Sequence, residues 1–164
     1  MHNRIVVVNS TPIIALSVID QLHLFKNLYG KIIIPKAVQD EVMAKEDSVT
    51  RLALEEAEAW IITKTVTNIA AKKFFKVQLH EGEVEVMLLG KELEADLLVI
   101  DDYIAREYAK YLDFKITGTL GVILRAKGNG IIKEVKPLVL DLIDHGIYIS
   151  DKLYKDILKM AEEN

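Results

Sequence analysis

The sequence predicts an α/β fold, with one parallel sheet in the middle and helices covering both faces. Three observations point to it. Short β-branched runs such as "IVVV" (5–8), "KIIIP" (31–35) and "DLLVI" (96–100) alternate with longer amphipathic stretches, the pattern of strand–helix–strand units. The runs are apolar at successive positions instead of every second one, as strands buried on both faces are. The chain is 164 residues long and 51% hydrophobic, enough for one core of ordinary size and too apolar for disorder.

The elements follow in order. "IVVV" is the first strand, and Pro12 fits the first turn of a helix capped by Ser10 or Thr11. A second helical piece, "LHLFKNLYG", stops at Gly30. "KIIIP" is the second strand, and Pro35 leads into "KAVQDEVMAK", where Val38 and Val42 share a face one turn apart. "SVTRLALEEAEA", with Ser48 or Thr50 as cap, precedes a third strand, "WIITKTV" (60–66). Residues 67–78 read as helical. "HEGEVEVMLLGKELEA" (80–95) forms a helix despite Gly90 inside it. "DLLVI" is the fourth strand and ends at Asp101-Asp102. The helix "YIAREYAKYL" and a short strand "FKIT" (114–117) come next. Three helices complete the chain: "GTLGVILRAKGNG", "EVKPLVLDLIDHG" and "SDKLYKDILKMAEE".

Composition excludes several functions. There is no cysteine, so thiolate chemistry and disulfides are out. The histidines His2, His23, His80 and His145 have no zinc-like spacing. A net charge of −4 argues against gripping duplex nucleic acid by charge alone. It leaves nucleic acid open as a substrate, because a bound divalent cation offsets local negative charge. No apolar stretch approaches the roughly 20 residues that span a bilayer, and "MHNRIVVV" reads as a strand, not a leader. A cytoplasmic protein is expected.

Sites in parallel sheets lie at the carboxyl ends of the strands, and that edge carries Asn9, Pro35 and Asp101. Asp101 ends the fourth strand, Glu83 lies early in the helix before it, and Glu41 is two turns into the helix after the second strand. Three acids from separate segments converging on one crevice would offer hard oxygen ligands of the kind Mg²⁺ or Mn²⁺ takes. Each also has a plain structural reading. Asp101 or Asp102 can cap the helix beginning at Tyr103. Glu81, Glu83 and Glu85 favour a helix N-terminus whatever the function, and Glu41 can be a solvated helix residue like Asp40. Gly118, Thr119 and Gly121 open a helix whose N–H groups could meet a phosphate; tight packing against the sheet explains them equally well. Lys72-Lys73 with Phe74-Phe75 is the one basic–aromatic cluster. Such residues can stack on single-stranded bases, although core or dimer contacts are the favoured reading of both phenylalanines. His80 precedes the acidic helix start, where capping is its simplest role.

The order of the segments carries more than any one of them. "VVVNSTPIIAL", "IIIPKAVQDEV", "LHEGEVEVMLLGKELEADLLVIDD" and "ITGTLGVILRAKGNGIIKEVKPLVLDL" together resemble PIN-domain proteins, closest to a PIN-like branch widespread in archaea and bacteria. The resemblance runs from about Ile5 to Leu158. It implies one PIN-like domain over residues 1–164, with the C-terminal helices (about 134–163) packed on it. The implied fold is a three-layer α/β/α sandwich with a five-stranded parallel sheet in the order 3-2-1-4-5. It also implies a metal-dependent endoribonuclease using Mg²⁺ or Mn²⁺ on single-stranded RNA. Many such proteins are toxins with an antitoxin-type protein partner, and homodimers are common among them. The family's acidic pocket falls on Asn9, Glu41, Glu83 and Asp101, with Glu41, Glu83 and Asp101 as metal ligands. Ser10 matches a hydroxyl that helps hold the site, and Asp102 and Thr119 lie beside it.

Two departures stand out. Glu83 replaces an Asp and keeps the charge. Asn9 replaces the first acid with a neutral amide, which lowers the ligand charge from which such sites draw affinity. The alternative to a nuclease is therefore a catalytically weak or inactive module that binds RNA or protein. A phosphoacceptor receiver domain, suggested by the pair Asp101-Asp102, fits poorly, because receivers carry their acidic pair after the first strand and here it follows the fourth.

Overall fold

The computed structural model describes residues 4–45, 48–75 and 78–164. Five strands form one all-parallel sheet in the order 3-2-1-4-5: β1 (Val6–Val8), β2 (Ile32–Pro35), β3 (Ile61–Lys64), β4 (Leu97–Val99) and β5 (Ile116–Thr117). Helices α1 (Ser10–Val18), α2 (His23–Tyr29), α3 (Lys36–Met43) and α4 (Ser48–Glu56) belong to the first half. A 3-10 segment (Ile69–Phe74) precedes α5 (Glu81–Glu92), α6 (Tyr103–Tyr111), α7 (Thr119–Gly128), α8 (Lys136–Asp144) and α9 (Asp151–Met160).

The central strands are buried on both faces: Val6, Val7 and Val8 of β1 and Leu98 and Val99 of β4 are at most 1% exposed. That is why their sequence lacks alternation. The same apolar cluster takes in Ile13 and Leu16 of α1, Met87 and Leu89 of α5, Val122 and Ile123 of α7, Val139 and Leu142 of α8 and Ile157 of α9. Gly90, which sits oddly in a helical pattern, marks a close approach. A Cβ there would lie 2.9 Å from Leu98 Cδ2 and 3.2 Å from Phe114 Cε1, so its absence lets α5 settle onto β4.

Polar groups lock the helices to one another. Glu85 is buried, and its carboxylate accepts the Ala37 N–H of the first turn of α3 (3.0 Å) and the Lys72 ammonium (2.7 Å). Lys72 also reaches Glu81 at 2.8 Å, and the bonds to Glu81 and Glu85 hold its ammonium above the usual lysine range. Lys72 thus acts as a structural cation between two elements and does not stand in a base-stacking cluster. Phe75 packs against the core, whereas Phe74 is 84% exposed.

Several boundaries differ from those the sequence suggests. Strands β3 and β5 are shorter than "WIITKTV" and "FKIT", because pairing is limited by the length of the neighbours β2 and β4. Residues 69–74 form a 3-10 segment instead of an α-helix, and Lys76 and Val77 lie outside the described residues. The N-cap of α1 is Asn9, not Ser10 or Thr11, which are its first helical residues. Thr50 lies within α4, three residues into the segment beginning at Ser48; the Ser48 side chain lies outside the described residues.

Candidate active site

The sheet order reverses between β1 and β4, and the crevice beyond their carboxyl ends is where parallel α/β sheets place their sites. Buried polar groups are the informative ones in a core. Seven such residues occur among those described, and four of them (Asn9, Ser10, Glu83 and Thr119) gather at this edge.

Asn9 continues the β1–β4 pairing by donating its backbone N–H to the Val99 carbonyl at 3.0 Å. It is the N-cap of α1, yet its side chain makes no capping bond. One reason is local: the third helical residue is Pro12, which has no N–H to offer. The carboxamide turns instead toward α5, where Oδ1 would lie 3.4 Å from a Cβ on Gly82. Oδ1 is buried and has no hydrogen-bond partner. Such an orphaned acceptor costs about 1–3 kcal/mol. Gly82, one residue before Glu83, is what the sequence reading missed; its signal is the small residue that lets α5 come up against Asn9.

Glu83 is 5% exposed. Its Oε1 accepts the His80 N–H at 2.9 Å, the return arm of a capping box across the start of α5. Burial raises its pKa above the usual carboxyl value; the His80 N–H opposes that rise, and the negative charges of Asp102 and Glu41 add to it. Glu41 is exposed on α3 and Asp102 is exposed at the start of α6, where its carboxylate caps the helix by accepting the Ala105 N–H at 3.0 Å. Asp102 thus joins two roles, capping a helix and bearing on Glu83.

Asp101 is oriented differently. Its two carboxylate oxygens receive the backbone N–H (2.7 Å) and the hydroxyl (2.5 Å) of Thr119 at the start of α7. The helix N-terminus favours this charge. The Thr119 N–H that the sequence offered to a phosphate is therefore already taken by Asp101. Gly118 makes this possible, since a Cβ there would sit 2.5 Å from Asp101 Oδ1. Arg106, also missed in the sequence, donates from Nη1 to the Ile100 carbonyl at 2.9 Å and steadies the strand end that carries Asp101. Its signal is only that it lies one helical turn after Asp102.

The oxygen donors suit a hard divalent cation. The orphaned Asn9 Oδ1 and a buried carboxyl flanked by negative charge are the features a cation would answer. No group of three or more His, Asp or Glu side chains among the described residues is gathered as a ready metal cage. The three acids expected from the sequence, Glu83, Glu41 and Asp101, are therefore not brought together as one set of ligands among the described residues.

No curated protein matches the chain. PIN domains are generally nucleases that act on nucleic acid and typically use divalent metal ions. A family model described as a PIN domain, DUF3368, matches residues 5–163, and with the 3-2-1-4-5 parallel sheet this establishes that the chain belongs to the PIN-domain family.

Proposed function

We propose that the chain is a Mg²⁺- or Mn²⁺-dependent endoribonuclease acting on single-stranded RNA. In this reading Glu83, Asp101 and Glu41 hold the ion and Asn9 orients water or substrate. The observation that carries it is Glu83, a buried carboxyl one residue after Gly82, the residue that Asn9 Oδ1 faces, and raised by burial and by the charges of Asp102 and Glu41. Such an arrangement costs stability and is the kind that functional sites keep. Mg²⁺ commonly takes one or two protein carboxylates and completes its shell with water and substrate phosphate, so a loosely gathered acid set suits it. When bound, the ion activates water and offsets charge developing on the phosphodiester. The chain's own residues do the rest. Asn9, at the carboxyl end of β1, would orient water or substrate beside the ion. Thr119 holds Asp101 in one orientation. Asp102, tied to α6, keeps the local field negative. A cytoplasmic setting and a homodimer belong to the same proposal; no helix among the described residues is long and apolar enough to cross a membrane.

The test is cleavage of a labelled single-stranded RNA with Mn²⁺ by wild type, Asp101→Asn and Glu83→Gln. Wild type is expected to cut, and each variant to lose roughly 10- to 100-fold or more. Equal traces from all three would assign the cutting to a contaminant. Glu83→Gln should also melt higher than wild type in EDTA, since it removes a buried charge while its amide oxygen still accepts the His80 N–H. It should lose the melting shift that Mn²⁺ gives wild type. Silence from all three would favour the RNA-binding module without turnover, for which the neutral Asn9 is the specific observation.

A further inference from the structure

Beside the acids lies a groove of about 530 Å³, within the ~300–1,000 Å³ of small-ligand pockets. It opens on Asp101 and Thr119 and runs between α1, α7 and the connection from α8 to α9. Its walls are apolar, with Ile14, Leu120 and Leu142 among them, and two other side chains stand out. Tyr148 is 88% exposed, an aromatic ring left in water at the rim. Lys45 is the cation in the lining, on a chain whose net charge is −4.

We propose that this groove is a stacking subsite for the nucleobase next to the cleaved phosphate of single-stranded RNA. Tyr148 serves as the platform and Lys45 contacts the neighbouring phosphate. The inference rests on the nuclease reading of Asp101 and deepens it. Continuity is the first argument, because Asp101 and Thr119 belong to both the acid site and the groove, so a strand lying across the acids puts its next base there. The chemistry of the walls is the second. Most of the lining is leucine, isoleucine and alanine, which offer no hydrogen bonds to base edges, so the groove takes a base chiefly by its face, as single-strand binders do. Charge is the third. A negative protein with an acidic edge repels RNA, and Lys45 supplies attraction where the backbone would leave the acids.

The experiment measures binding of a short single-stranded RNA carrying 2-aminopurine, by fluorescence, with Mn²⁺ at mixing times short against cleavage, so that charge at the acids is offset, and in EDTA, where no cleavage intervenes. Wild type is expected to bind and quench the probe. Tyr148→Ala should weaken binding roughly 5- to 100-fold, whereas Tyr148→Phe should bind as wild type does. Lys45→Ala should lower the slope of log affinity against log salt by about one. The exposure of Tyr148 and of Lys45 makes all of these variants compatible with folding. Binding unchanged in Tyr148→Ala overturns the proposal, as does a wild type that binds no RNA either with Mn²⁺ or in EDTA. A Tyr148→Ala protein with altered oligomeric state and unaltered RNA binding also overturns it, in favour of contact with a second copy. Tyr148-dependent binding by a wild type that never cleaves with Mn²⁺ supports the subsite while refuting the nuclease reading, so the two failures are distinct.

Discussion

Asn9 places an acceptor where its surroundings offer no donor, and its amide withholds the charge that a carboxylate would bring. Its Oδ1 is buried without a donor against the first turn of α5, one residue from a carboxyl that already bears the field of Asp102 and Glu41. Asn9→Asp is nearly isosteric, so what it changes is charge. Without metal the variant should be less stable than wild type by about 1–3 kcal/mol at neutral pH, as for an uncompensated buried polar group. With Mn²⁺ the order should reverse, because the added carboxylate raises ligand charge. Thermal unfolding in EDTA and then in excess Mn²⁺ checks both signs. Equal metal shifts in the two proteins would mean that position 9 does not face the ion. The sequence marks Asn9, Glu83 and Asp101 through strand and helix ends, since residue type and position suffice to put them at the sheet edge. It is silent on how each side chain turns. That Asp101 faces Thr119 while Glu83 feels Asp102 and Glu41 depends on packing between segments distant in the chain.

At the scale of elements, the turn between β5 and α7 shows how backbone space is allotted. Gly118 is extended, with φ −127°, so its freedom to adopt left-handed backbone is not in use. What it supplies is room, because a Cβ would stand 2.5 Å from Asp101 Oδ1 and 3.1 Å from Arg106 Nη1. Gly118→Ala should cost about 1–3 kcal/mol, as overpacking does, and should displace Asp101 from Thr119. Gly128, the last residue of the same helix, meets nothing within 4 Å. Gly128→Ala should therefore stabilise by about 0.4–1 kcal/mol through the unfolded chain. Urea unfolding of both variants tests the pair, and a common sign would refute the spatial argument. The elements themselves were largely legible, because buried parallel strands and amphipathic helices write their periods into the sequence. Gly90 was legible as an anomaly and Gly118 as one of the residues opening a helix, but the cause of each lay in Leu98 and Asp101 across the fold. The bridge from Glu85 to Ala37 and Lys72 left no local trace.

For the whole molecule, closure of the C-terminal helices turns on Glu163. Its carboxylate accepts the N–H groups of Val135 (2.8 Å) and Lys136 (3.0 Å) at the start of α8, and the Lys127 ammonium of α7 (2.9 Å). Lys127 also donates to the Ala161 carbonyl. One side chain after α9 therefore ties α7, α8 and α9 together, and it answers N–H groups that a helix start leaves unpaired. Burial alone would raise the Glu163 pKa, but the Val135 N–H, Lys127 and the Lys136 N–H outweigh it and bring the group down to about 2. A carboxyl depressed on folding binds fewer protons in the native chain than in the unfolded one, so its contribution is present above the ordinary value of 4.5 and is lost as pH falls toward about 2. Glu163→Gln should be less stable than wild type at pH 7 by about 1.5–3 kcal/mol, as for hydrogen bonds to a charged group. Other carboxyls titrate in the same window, so the informative quantity is the difference between the two proteins, measured by urea unfolding at several pH values. That difference should shrink from about pH 4.5 downward and nearly vanish near pH 2. A gap independent of pH would show that Glu163 stabilises by its shape and hydrogen bonding, and not by its charge.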